Sequence, residues 1–374
     1  MRKRYLHNIK RVVVKVGTSV LSQEGTGLSI DYIERFVQQI VDIKNNNKEV
    51  VLVSSGAIAA GMNTLGFSKR PVSLPELQAC AAIGQGKMMK MYEDIFSSKN
   101  FHSAQVLITR EDLRSRQRYL NSRNTLWTLL RYNIVPIVNE NDTVAVDEIK
   151  FGDNDMLSSL VSILVEADLL IILSNVNGLY TKNPEQKDAQ RINIIERIDE
   201  KIQDFAKGTK RATSVGGMTT KIKAAKVATS AGIPVIIANG SEKDILQRVV
   251  SAADVGTLFI PSPACEGSKK RWLLFSAHPV GSVIIDDGAK DVLLKKGKSL
   301  LPSGILSVAG RFDAGRVVKI LDKNNSQIGI GIVSYSSDAI EKIKGARTDR
   351  IEQILGWTSG DEIIHRDNMG ILRP

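Results

Sequence analysis

The chain has 374 residues, 43% of them hydrophobic and 24% charged, enough for a large core and for more than one small domain. Its net charge is +11, but residues 282–374 hold only +2 (14 Lys/Arg against 12 Asp/Glu); the other +9 is spread over the rest, which excludes a concentrated basic tail. Two cysteines, Cys80 and Cys265, without a CxxC, exclude a disulfide framework and fit a reducing cytoplasm, and no apolar run nears the roughly 18 residues of a membrane span. The start, Met1-Arg2-Lys3-Arg4, is basic, yet the apolar Val12–Val14 after it is cut short by Lys15, so no signal peptide is expected.

In chain order, Arg11–Val16 reads as a buried strand, and Ile30–Asn45 as a helix. Val50–Val53 is a second strand. Pro75–Phe96 is a helix with proline at its start, where it is tolerated. Thr109 and Asp112 resemble a capping box that opens a helix over Glu111–Tyr132. A strand at Ile134–Val138, a helix at Asp155–Glu166, a strand at Leu169–Leu173, a helix at Met218–Ala231 and a strand at Val235–Ala238 follow. The strands are near-continuous apolar runs, as expected where both faces are covered. Their alternation with helices predicts an α/β fold with a mostly parallel open sheet and helices on both faces. The texture changes near residue 276, where Pro279 and Gly281 mark a linker. Short strands at Val283–Ile285, Val317–Leu321 and Ile328–Val333, separated by Gly, Asp and Asn turns, predict a small β-rich second domain. The expected organisation is a domain over 1–275, a linker over 276–281 and a second domain over 282–374.

In parallel α/β sheets ligands bind beyond the carboxyl ends of the strands. There the chain places Lys15-Val16-Gly17-Thr18-Ser19, Ser54-Ser55-Gly56-Ala57, Asn139-Glu140-Asn141-Asp142 and Ser174-Asn175-Val176-Asn177. Gly152-Asp153-Asn154-Asp155 and Gly216-Gly217-Met218-Thr219-Thr220-Lys221 each open a helix. Any one of these is commonly a plain turn or a solvated loop. Their convergence on one sheet edge carries the weight. Glycines let backbone N–H groups approach phosphate oxygens, helix N-termini favour anions, and lysines offset charge on a transferring phosphoryl group. Fingerprints of P-loop ATPases, Rossmann dehydrogenases, α/β-hydrolases and zinc hydrolases are missing. There is no GxxxxGK[ST], since Ala81 stands where Gly84-Gln85-Gly86-Lys87 would need its upstream glycine. No GxGxxG follows a strand, no GxSxG occurs, and His7, His102, His278 and His365 show no metal-ligand spacing.

The segments Val14–Ser19, Val53–Gly61, Asn139–Asp142, Phe151–Asp155 and Gly216–Lys221 together resemble the bacterial glutamate 5-kinase family of the amino-acid kinase superfamily, in the family's order. Val255–Phe259 and Lys270-Arg271-Trp272 extend the resemblance over nearly the whole chain, and the C-terminal part resembles a PUA domain, a module also found in RNA-modifying enzymes. The resemblance implies an ATP-dependent kinase acting on the γ-carboxylate of L-glutamate, with Mg²⁺ carried by the ATP phosphates and no metal ligands of its own. It implies that Lys15 and Lys221 stabilise the transferring group and that Asp155 orients them. It assigns Ser55, Gly56, Asp142 and Asn154 to glutamate. Lys15, Gly17, Ser174, Asn175, Val215, Gly216, Gly217, Met218, Thr219, Thr220 and Lys221 would line the ATP site. It further implies a cytoplasmic homo-oligomer, a dimer or tetramer. Proline would be a feedback inhibitor, and the product would pass to a glutamyl-phosphate reductase on the route to proline. The family commonly has Thr-Asp where this chain has Ser174-Asn175, and often Asp in place of Asn177, so charged acceptors become neutral amides on the nucleotide side. The competing expectations are another superfamily member acting on acetylglutamate, aspartate or a nucleotide, and an RNA-binding protein that uses the second domain.

Overall fold

The apolar run Arg11–Val16 forms β1, with every residue from Val12 onward buried. It is the central strand of a sheet in a computed structural model that describes residues 1–23, 27–144, 154–207, 217–262, 268–275 and 277–372. After β1 come α1 (Ile30–Asn45), β2 (Glu49–Ser54), α2 (Ala57–Met62), α3 (Leu74–Ser98), β3 (Ser103–Ile108), α4 (Arg110–Arg114), α5 (Arg116–Arg131) and β4 (Val135–Glu140). Then follow α6 (Asn154–Leu164), β5 (Leu169–Ser174), β6 (Ile194–Ile195), α7 (Glu200–Lys207), α8 (Met218–Ser230), β7 (Val235–Asn239), α9 (Ile245–Val250) and β8 (Thr257–Phe259).

Among the described residues these strands form one eight-stranded sheet in the order β3-β4-β2-β1-β5-β7-β8-β6. From β3 through β7 all neighbours are parallel; β8 runs antiparallel to β7, and β6 is parallel to β8. The chain leaves β1 toward β2 on one side and later returns to β5 on the other, so the strand order reverses at β1 and opens a crevice beyond its carboxyl end. The helices cover the sheet as their patterns dictate. In α1, Ile33, Phe36, Val37, Ile40 and Val41 recur at helical spacing and are buried. α3 starts as expected: Ser73 caps it by accepting from Glu76 N, with proline in the first turn.

Among the elements that differ from expectation are one helix and one strand. The single helix over Glu111–Tyr132 is two, α4 and α5, with the break at Ser115. Its start is nonetheless a reciprocal capping box: Asp112 N donates to Thr109 Oγ1 at 3.2 Å while Asp112 Oδ2 accepts from Thr109 N at 2.8 Å. Strand β3 has no counterpart among the predicted strands, because as an edge strand it is only partly buried and lacks a continuous apolar run.

The chain divides into two compact units, Met1–Leu113 with Gln117–Ala264, and Cys265–Pro374 with Arg114–Arg116. The second has its own five-stranded sheet of β9 (Gly281–Ile285), β10 (Ile305–Ala309), β11 (Val317–Asp322), β12 (Gln327–Ile332) and β13 (Met369–Ile371), in the order β10-β9-β11-β12-β13. Val283, Ile285, Val318, Ile320, Tyr335, Ile340 and Ile363 are part of its core. The expected linker starts at residue 276, whereas helix α10 (Ser268–Phe275), just before it, goes with the second unit. α10 lies so close to β13 that a Cβ on Gly370 would stand 2.6 Å from Leu274 Cγ. No helix among the described residues is long and apolar enough to cross a membrane.

Candidate active site

Two consecutive residues at the start of α6 organise the crevice. Asp155 faces β1 and α8. Its Oδ1 lies 2.7 Å from Lys15 Nζ and its Oδ2 lies 3.1 Å from Lys221 Nζ, and Oδ2 accepts from Thr220 Oγ1 at 2.7 Å. All three ionised groups are buried, Asp155 to 2% exposure. Burial by itself would raise the Asp155 carboxyl. The ammonium groups of Lys15 and Lys221, with the hydrogen bonds, outweigh it and hold the group well below the usual carboxylate range. One carboxylate between two ammonium groups leaves a net positive charge at a buried place, which suits a multiply charged anion. A Cβ on Gly17 would be in ordinary contact with Lys15 Nζ, at 3.4 Å, so the turn runs close beside the ammonium group.

Asn154 faces the other way, toward β2 and β4. Its Nδ2 lies 3.0 Å from Ser54 O, 2.9 Å from Ser55 Oγ and 2.8 Å from Asn139 Oδ1. Asn139 Nδ2 in turn donates to Gln85 Oε1 at 2.8 Å. The Ser55–Gly56 turn is shaped by close packing behind it. Gly56 has φ +114°, a conformation that side chains rarely adopt, and caps α2. α2 itself lies directly on α3. A Cβ on Gly84 would meet Ala57 O at 1.8 Å, and one on Gly61 would meet Cys80 O at 1.9 Å. The small-residue stretch Ala57–Gly61 is therefore a backbone-on-backbone contact that fixes where Ser55 stands.

The register sets the two halves side by side. Val16 pairs with Ser54 on one flank and with Leu173 on the other, so Ser55 and Ser174 each lie one residue beyond the same row. Ser174 is buried and, among the described residues, its hydroxyl reaches only toward Asn175 Oδ1, at 3.4 Å; Asn175 is exposed. Asn177 holds Gly256 N at 2.8 Å, which gives that amide a place in the scaffold. Gly217, Met218, Thr219 and Thr220 open α8 beside Lys221. Asp142, beyond β4, is pushed up to about 6 by burial, partly offset by the Arg70 guanidinium. Val215, Gly216, Gly152 and Asp153 lie outside the described residues.

The structure thus brings together Lys15, Asp155, Thr220 and Lys221 in one cluster and Ser55 with Asn154 in another. Asn139 and Gln85, both buried, belong to the second cluster and are not among the expected site residues. Asn139 opens one of the polar segments at the strand ends; Gln85 sits in a helix of small residues, where nothing in the spacing marks it.

A parallel α/β sheet whose strand ends collect two lysines on one carboxylate, with no P-loop, defines a class of protein suited to handling phosphoryl groups. The chain belongs to the amino acid kinase family and, within it, to the glutamate 5-kinases. The amino acid kinase family model matches residues 10–239, and a PUA domain model matches residues 281–355. The chain is 47% identical over 373 residues to the glutamate 5-kinase of Pelobacter propionicus, covering 100% of both chains. It is also 47% identical over 365 residues to that of Caldanaerobacter subterraneus subsp. tengcongensis, covering 97% of this chain and 98% of the other. Among solved structures, the carbamate kinase from Giardia lamblia bound to AMP-PNP superposes with a TM-score of 0.51 at 21% identity, over 68% of this chain and 99% of that one, a likeness of fold.

Proposed function

We propose that the chain transfers the γ-phosphoryl group of ATP to the side-chain carboxylate of L-glutamate, giving L-glutamyl 5-phosphate and ADP, the first step of proline biosynthesis. The observation that carries the reading is the Lys15–Asp155–Lys221 cluster standing one residue away from the amide of Asn154. It is supported by relatives that share nearly half of their residues with this chain along its whole length.

In this reading a γ-carboxylate oxygen attacks the γ-phosphorus in line, forming an O–P bond as the bond to the β-phosphate oxygen breaks. The carboxylate is ionised at neutral pH, so no general base is required. Lys15 and Lys221 offset charge on the transferring group, and Asp155 keeps their ammonium groups on opposite edges of one carboxylate. Ser55 Oγ and the Gly56 turn meet a substrate carboxylate, while Asp142 and Asn154 Oδ1 accept from the ammonium group. Gly17, Ser174, Asn175 and the residues from Val215 to Lys221 surround the nucleotide. Asp155 is committed to the two lysines, and Mg²⁺ would be carried by the ATP phosphates. Bound there, Mg²⁺ withdraws charge from the leaving group. Feedback by proline, a dimeric or tetrameric state, hand-over to a reductase and a cytoplasmic setting belong to the same proposal. So does a division of the chain into two domains.

The test is glutamate-dependent ADP formation with MgATP, with the acyl phosphate trapped by hydroxylamine as the hydroxamate. Turnover with acetylglutamate or UMP in place of glutamate overturns the reading. Tight, salt-sensitive RNA binding without kinase turnover does the same.

A further inference from the structure

The substrate half of the crevice rests on three amide side chains in a row, and the row has a direction. Glu140 N donates to Asn139 Oδ1 at 2.9 Å, which fixes that atom as oxygen. The same oxygen accepts from Asn154 Nδ2, so the NH₂ of Asn139 faces Gln85 and meets its Oε1. Turning either neighbouring amide around would set donor against donor or acceptor against acceptor. A backbone N–H inside the protein therefore dictates how an amide at the crevice is presented.

The two ends of the row differ. At the crevice, all of Asn154's side-chain bonds to other described residues are made by Nδ2, which leaves its side-chain carbonyl oxygen as the outward group. At the inner end, Gln85 is 8% exposed and its Nε2 is buried without an acceptor among the described residues. A buried NH₂ without a partner is unfavourable, and Leu or Met would fill the same space without it. What Gln supplies that they lack is Oε1, the acceptor for Asn139.

We propose that Gln85 is a positioning residue. Its Oε1 locks Asn139, and Asn139 locks Asn154 with the carbonyl oxygen toward the substrate. The site then presents an acceptor to the substrate nitrogen, so it selects a free ammonium group over an acylated amine. The inference rests on the reading above that an amino acid binds at Asn154.

The experiment compares full-length wild type with Gln85→Met and Gln85→Glu. Gln85→Met removes the acceptor; Gln85→Glu keeps one of the same size. The expected result for Gln85→Met is a glutamate KM raised about tenfold, an ATP KM within about twofold, and reduced preference for glutamate over N-acetylglutamate in kcat/KM. Gln85→Glu should bring the glutamate KM back to within about threefold of wild type. In an Asn154→Ala background, Gln85→Met should add no further loss, the mark of two residues acting as one unit. An unchanged glutamate KM in a folded Gln85→Met variant overturns the proposal. So does an equal rise in both KM values, or a Gln85→Glu variant no better than Gln85→Met. Absence of glutamate turnover in the wild type, by contrast, overturns the functional reading itself.

Discussion

At the scale of single residues, Asp155 matters more for what it holds than for what it touches. Replacing it with Asn leaves two buried ammonium groups facing each other across a neutral amide. Asp155→Asn should lower kcat by about 10²–10³ with a smaller effect on KM, measured by ADP release at saturating substrates. The same group leaves a mark on stability. Its folded pKa is depressed, so the stabilisation it provides is complete above the ordinary carboxylate pKa and fades as the pH falls below it. Chemical denaturation should show a gap between wild type and Asp155→Asn at pH 7 that closes below pH about 4. Asp142 behaves in the opposite sense. With its carboxyl pushed up to about 6, it gains charge only as the pH rises through that value. Glutamate's own groups do not titrate between pH 5 and 7.5, so glutamate KM should rise as the pH falls through about 6. Asp142→Asn should show a raised KM at pH 7.5 and a flat profile below it.

At the scale of elements, legibility follows burial. Strands β1, β2, β4, β5 and β7 are readable in the sequence because each is a continuous apolar run buried on both faces. β3 and β8 are not: one is a partly buried edge strand, the other three residues long. On the site, turn glycines and strand ends mark the segments that carry Lys15, Asp155 and Lys221, while the grouping of these three is what the family resemblance implies. Gln85 is not, because its place depends on how closely α2 approaches α3. That approach is itself testable. Gly84→Ala puts a methyl group 1.8 Å from Ala57 O, a backbone atom that cannot swing aside. The variant should lose about 1–3 kcal/mol or more in denaturant unfolding. Because α2 carries the Ser55–Gly56 turn, glutamate KM should rise more than ATP KM.

At the scale of the whole molecule, the two units have separate sheets and separate hydrophobic cores. A chain ending after Ala264 should keep glutamate turnover. A chain ending after Phe275 should be less soluble, because Trp272 and Leu273 of α10 lose the partners that bury them. Comparing the two truncations by activity and light scattering checks both statements. Equal solubility would place the end of the first unit elsewhere.

The adjacency of Asn154 and Asp155 has a consequence for how such a protein changes over generations. Neighbouring Cα atoms are about 3.8 Å apart whatever the surrounding chain does. With the roles proposed above for these two residues, an insertion or deletion ahead of residue 154 displaces both together and keeps phosphoryl acceptor and donor in step. A residue slipped between 154 and 155 would break that coupling, and the reaction with it.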